Sequence, residues 1–116
     1  MHERILSYSH PMLLRINTPS QPSWRSDGFQ AVYRFRNGYG ASVVQHTNSY
    51  GGDMGKYELA VARWRSADDN DWEIYYGTDI TNDVLGHLEP GDVHDILNQL
   101  GTLPPDAQAL AGAVLD

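Results

Sequence analysis

The chain contains no cysteine in 116 residues, an absence that removes disulfides, thiolate metal sites and thiol nucleophiles together and fits a cytoplasmic setting. No stretch approaches the roughly 18 consecutive apolar residues of a membrane-spanning helix. Met1-His2-Glu3-Arg4-Ile5-Leu6 lacks the basic start, unbroken apolar run and small-residue cleavage site of a secretory leader, so no signal peptide is expected. The third absence is one of position. All eight basic residues precede residue 66, against four acids in the same stretch, which leaves it at +4; residues 66–116 carry the other eleven acids and no Lys or Arg, which leaves them at −11. The net charge of −7 therefore hides a polarised chain. Such polarity suits an acidic surface offered to a basic partner, or pairing of the two halves within the fold or between copies.

The length allows one hydrophobic core, since domains cluster near roughly 100–150 residues. Residues 1–23 read as an N-terminal arm and connector: Ile5, Leu6, Tyr8 and Met12 to Ile16 are interrupted by Pro11, which suits an edge strand or packing arm, and Asn17 to Ser23 is rich in Pro, Ser and Asn. Residues 24–116 read as one α+β domain. Within it Phe29, Ala31, Tyr33 and Phe35 alternate with more polar residues, and Asn37-Gly38 matches the two φ > 0 positions of a type I′ hairpin turn. That turn predicts Arg36 opposite Tyr39, Phe35 opposite Gly40 and Phe29 opposite His46, with an aromatic ring covering Gly40 and with Arg34 and Arg36 on the other face. After a glycine-rich connection, Tyr57 to Trp64 and Trp72 to Tyr76 read as two more strands around an exposed acidic tip, Ser66 to Asp71. The expectation is an antiparallel meander of about four strands.

Beyond Gly77 the period changes. Thr81 and Asn82 are candidate N-caps of a short turn carrying Val84, Leu85 and Leu88, and Val93, Ile96, Leu97 and Leu100 then recur at i, i+3, i+4 and i+7. This predicts an amphipathic C-terminal helix packed on one face of the sheet, with Asp92, Asp95 and Gln99 outward and Gly101 ending it. A second short helix is expected through Ala107, Leu110, Ala111 and Val114.

The chemistry-bearing motifs fail on spacing. Gly51-Gly52-Asp53-Met54-Gly55-Lys56 resembles a phosphate loop, but Tyr50 stands where the first glycine is required, Tyr57 replaces Ser or Thr, and a strand follows where a helix should begin. As a tight loop between strands, Tyr50, Gly51, Gly52 and Asp53 form a secondary candidate for protein contact. His87, Asp92, His94 and Asp95 are competent metal ligands without a shared-face spacing, and Asp68, Asp69 and Asp71 lack the glutamate that completes a calcium loop. No serine sits in a nucleophile elbow, and His46 reads as a packing residue. Arg34, Arg36 and Tyr39 faintly suggest nucleic-acid contact, against an acidic remainder that repels phosphate. No cofactor is expected.

Phe35 to Val44, Ser49-Tyr50-Gly51-Gly52, Gly55 to Val61 and Ile80 to Gly86 together resemble a family of small uncharacterised bacteriophage and prophage proteins, over roughly residues 33–100. The family carries no assigned activity, cofactor or catalytic residue. The resemblance implies a phage protein working in the cytoplasm of a host cell. The leading expectation is a non-catalytic protein that binds and modulates a host or phage protein bearing a basic surface. Its acidic contact residues would come from Asp68, Asp69, Asp71, Asp79, Asp83, Asp92 and Asp95. The alternative is a small Asp/His-dependent enzyme, or a subunit of one.

Overall fold

The computed structural model describes residues 3–18, 28–45, 55–78, 80 and 84–105. It is an α+β structure in which one helix packs on an antiparallel sheet. The elements run α1 (Glu3–Leu6), β1 (Leu13–Asn17), β2 (Phe29–Phe35), β3 (Tyr39–Gln45), β4 (Tyr57–Trp64), β5 (Trp72–Ile74), β6 (Leu85–Leu88) and α2 (Pro90–Gly101). The sheet order is β1-β2-β3-β4-β5, the meander that sequential hairpins produce, with β6 also paired to β4.

Two strands extend the predicted four. The N-terminal arm supplies β1 as an edge strand beside β2, and α1 adds Ile5 to the core. Leu85 and Leu88, expected in a short turn with Val84, instead belong to strand β6. Short β5 pairs only with Ala62–Trp64, so the Tyr57–Leu59 stretch of the same β4 edge accepts β6. The β4–β6 register shifts between Tyr57 and Leu59, and His87 takes φ 58, the left-handed backbone found at bulges. Thr81, Asn82, the glycine-rich residues 51–54, His46 and the predicted helix at 107–114 lie outside the described residues.

The hairpin register also differs from the expected one. Tyr33 faces Ala41, Ala31 faces Val43, and Phe29 faces Gln45, one residue away from the pairing a two-residue turn would give. The turn is a three-residue loop. Gly38 N–H donates to the Phe35 carbonyl at 3.2 Å, and Gly38 alone takes positive φ, at 92°, while Asn37 does not. Asn37 is fully buried: its Nδ2 donates to the carbonyls of Leu100 (2.8 Å) and Leu103 (3.1 Å), and its Oδ1 accepts from Tyr39 N–H at 3.1 Å. The side chain thus ties the hairpin to the Leu100 carbonyl in the last turn of α2 and to the Leu103 carbonyl just beyond it. Tertiary bonds of this kind outweigh the local preference of an Asn-Gly pair for a type I′ turn.

The alternation sorts side chains onto two faces. The first carries Ala31, Tyr33, Phe35, Ala41, Val43, Tyr57, Leu59 and Val61, and α2 lays Val93, Leu97 and Leu100 onto it. Helix entry is fixed by Glu89 N–H donating to the Asp92 carboxylate at 3.0 Å, and helix exit by Gly101, where a Cβ would meet the His10 ring at 2.5 Å. The second face carries Val32, Ala62, Trp64 and Trp72 as a separate apolar cluster. An aromatic ring does cover Gly40, but it belongs to Trp64 of β4, not to Phe35; any Cβ there would strike that ring and the Tyr33 carbonyl.

Candidate functional site

The second sheet face is the one that α2 leaves to other groups, and its two ends differ. At one end the acidic tip folds back over the strands. Arg34, 3% exposed, lies over the Trp64 ring at 5.2 Å and donates to the Ser66 carbonyl (2.8 Å), the Ala67 carbonyl (3.1 Å) and the Asp69 carboxylate (2.8 Å). Trp64 Nε1 donates to the Asp69 carbonyl at 3.0 Å, and Arg15 reaches the other Asp69 oxygen. Arg65 pairs with Asp71 at 3.0 Å, and Arg63 with Glu73 at 2.7 Å while lying 4.2 Å over the Tyr75 ring. Three of the tip-region acids are therefore matched by arginines from the basic part of the sequence.

Past Trp72 the same face opens into a shallow cavity of about 260 Å³, lined by Gln30, Ser42, Val44, Glu58, Ala60, Trp72, Ile74 and Val84. The pairing scheme explains its position. β5 ends at Ile74 and β6 begins at Leu85, so the β4 edge near Ala60 lies between them and the small Ala60 side chain leaves a depression. Gln30 Nε2 donates to Ser42 Oγ at 2.9 Å and fixes the polar wall. Ile74 is 45% exposed at the rim, and Tyr76, two residues on, is 49% exposed. Glu58 is the one charged side chain among the lining residues.

The acidic residues singled out in the sequence fall into two groups. Asp69 and Asp71 are paired on the tip, and Asp68, beside them, accepts from Asn70 N–H at 2.9 Å. Asp92 and Asp95 are exposed on α2, behind the first face. Asp79, Asp83, Tyr50, Gly51, Gly52 and Asp53 lie outside the described residues. The residues considered for metal binding are not brought together: His94 packs against Tyr8 with ring centroids 5.4 Å apart, and Asp92 serves the helix N-terminus. Among the described residues no group of three or more His, Asp and Glu side chains is placed to hold an ion. Nor does one hairpin face carry Arg34, Arg36 and Tyr39. Arg34 is buried under the tip, Arg36 is exposed in the turn, and Tyr39 packs against Tyr75 on the first face, 6.0 Å between centroids.

Burial shapes the core tyrosines. It pushes the Tyr8 hydroxyl up to about 12 and raises Tyr57; Tyr33 is raised by burial first and then by Tyr57 and Tyr8. Tyr33 Oη donates to the Ile5 carbonyl at 2.8 Å, whereas Tyr8 Oη has no hydrogen-bond partner among the described residues. All three are neutral packing groups at physiological pH, unsuited to act as bases.

Sequence reasoning passed over the cavity residues. One signal was present: Leu59-Ala60-Val61-Ala62 is apolar at both parities, the mark of a strand buried on both faces. No family model, no curated protein and no solved structure matches this chain.

Proposed function

We propose that this chain is a non-catalytic, phage-derived binding protein that modulates a host or phage protein with a basic surface, and that the partner sits on the second sheet face, over the cavity beside the acidic tip. The observation that carries this reading is the cavity itself, an apolar depression with a carboxylate in its lining and Ile74 exposed at its rim. Interface centres combine apolar and aromatic anchors with a polar surround, and the Trp72, Ile74, Gln30 and Ser42 set has that composition. The tip contributes a pre-ordered edge, since the buried Arg34 fixes residues 66–69 before any partner arrives.

The test is a pull-down from host lysate with mass spectrometry, run on wild type, on Ile74→Lys, and on Asp92→Lys/Asp95→Lys. Ile74 is an exposed rim residue, so its substitution should leave thermal unfolding unchanged while placing a like charge against a basic partner. Loss of a stoichiometric partner with Ile74→Lys alone is the expected result. Loss with the helix double variant alone would move the contact to the outer face of α2, and retention by both variants would refute an electrostatic contact at either place.

A further inference from the structure

We propose that the outer edge of β5 pairs with the same edge of a second copy of this chain, antiparallel about a two-fold axis at Ile74, joining two sheets into one. This contact uses the margin of the sheet and does not depend on what binds over the cavity.

Hydrogen-bond parity exposes the edge. Arg65 N–H donates to the Asp71 carbonyl at 2.9 Å and Tyr75 N–H to the Val61 carbonyl at 2.8 Å, with Arg63 opposite Glu73 between them. Residues 71, 73 and 75 therefore turn their main-chain groups toward β4, and Trp72 and Ile74 turn theirs away from it. β5 ends the sheet order, so among the described residues no strand meets those outward groups. The side chains add to this. Ile74 and Tyr76, two of the three large apolar side chains exposed among the described residues, follow Trp72 at alternate positions. The opposite edge is guarded: β1 has a register shift between Leu13 and Arg15, and the Arg15 side chain is 55% exposed. β5, Trp72-Glu73-Ile74, has no shift, lysine or proline.

The edge also selects its occupant. Read antiparallel against itself with Ile74 at the axis, it sets Ile74 against Ile74 of the other copy and each Trp72 against the other copy's Tyr76, while Glu73 meets Tyr75. The two Ile74 residues then exchange a pair of main-chain hydrogen bonds, and the aromatic and branched side chains beside them form cross-strand pairs of the kind that stabilise sheets. Other self-pairings that use the outward groups fail on charge. An axis at Glu73 opposes two carboxylates directly, and an axis at Trp72 opposes Asp71 to Glu73 twice. In the Ile74 register Glu73 keeps its own Arg63 at 2.7 Å. A two-fold contact of this kind closes on itself, so it stops at a dimer.

Trp72 to Tyr76 is a short seam, in the class of transient interfaces below roughly 1,200 Å², so a dissociation constant on the order of 100 μM is expected. Sedimentation equilibrium of the full chain from about 10 μM to about 1 mM should therefore show monomer and dimer in exchange. Ile74→Pro removes the outward N–H from both copies and leaves the β4 ladder whole, so it should weaken the dimer by roughly tenfold or more while circular dichroism still shows a folded monomer. The absence of cysteine allows a second test that is independent of that variant. Ile74→Cys places two Cα atoms about 5.5 Å apart across the axis, within disulfide reach, whereas Tyr76→Cys places them about 14 Å apart along the seam. Diamide should therefore crosslink Ile74→Cys into a covalent dimer roughly tenfold faster than Tyr76→Cys, or more. A wild-type chain that stays monomeric to about 1 mM, an Ile74→Pro variant that dimerises as the wild type does, or equal crosslinking of the two cysteine variants would overturn the proposal. The cysteine comparison decides the matter even if Ile74→Pro folds poorly. A chain that stays monomeric and still captures a lysate partner through the second face would remove the dimer and leave the cavity contact in place.

Discussion

Asn37 offers the sharpest separation between what a turn motif implies and what the fold does with it. If the residue served only the hairpin, Asn37→Asp would change little, because Asp-Gly is as good a turn pair as Asn-Gly. In the structure the amide group makes three bonds, two donated to helix-end carbonyls and one accepted from Tyr39, all in a fully buried setting. Asp keeps the acceptor and loses both donors, and it directs a carboxylate at the Leu100 carbonyl. Each hydrogen bond contributes about 1 kcal/mol net, and each buried polar group left without a partner costs about 1–3 kcal/mol. Losing two donated bonds and burying a carboxylate with an unsatisfied oxygen should therefore destabilise the domain by about 3–5 kcal/mol, even though the Leu100 carbonyl keeps its bond from Leu103 N–H. Asn37→Ala should cost a similar amount. Urea unfolding followed by tryptophan fluorescence measures it, and Leu100 sits in the buried core, so the loss should appear in global unfolding, not in local fraying. A change below about 1 kcal/mol for Asn37→Asp would refute the linkage and restore the purely local account of the turn.

Leu97→Ala should cost about 2–5 kcal/mol, since Leu97 is fully buried between α2 and the sheet, whereas Asp68→Ala at the exposed tip should cost well under 1 kcal/mol; equal urea midpoints would contradict this division of core from surface. Alkaline stability follows from the buried tyrosines. Their folded-state values lie above the usual 10, so the native state holds these protons more tightly; stability is complete below about pH 10 and falls as the pH rises toward about 12, where Tyr8 ionises. Tyr8→Phe should flatten that fall at little cost near neutrality, because the Tyr8 hydroxyl makes no hydrogen bond among the described residues; an unchanged slope in unfolding against pH would count against the assignment.

Strand and helix periodicity was legible where an element gathers its largest apolar side chains on one face. Phe29 to Phe35 and Val93 to Leu100 carry periods of 2 and 3.6, and each supplies the other's apolar counterpart across the first face. Less legible were features set by distant partners. The hairpin register follows from Asn37 reaching α2, more than sixty positions away in sequence. β6 exists because β5 is too short to use the whole β4 edge, which no local pattern in Leu85–Leu88 announces. Gly40 was readable as a glycine needing a ring above it, but which ring depended on β4 pairing with β3. The cavity was hidden for the same reason, as its lining draws on β2, β3, β4, β5 and the residue before β6.

The charge asymmetry of the sequence takes on a different meaning once folded. Arginines from the basic part, Arg15, Arg34, Arg63 and Arg65, meet Asp69, Asp71 and Glu73 at one end of the sheet, so the polarity along the chain becomes paired charge in space there. The Arg34–Asp69 contact is also the most buried of these, and losing one partner of a buried pair costs about 3–5 kcal/mol, far more than an exposed pair contributes. Part of that acidic stretch accordingly serves the tip's own architecture. Away from the tip, acidic side chains stand at two described places: the cavity lining at Glu58 and the outer face of α2 at Asp92 and Asp95, a helix with no basic residue in its last turn. They lie on opposite sides of the sheet, so one small basic element cannot cover both. Only the first combines charge with apolar surface, and exposed charge alone is screened within about 8 Å at physiological salt. A partner held at the cavity should therefore lose less of its affinity on raising salt than one held by α2, which makes salt sensitivity a second means of telling the two surfaces apart.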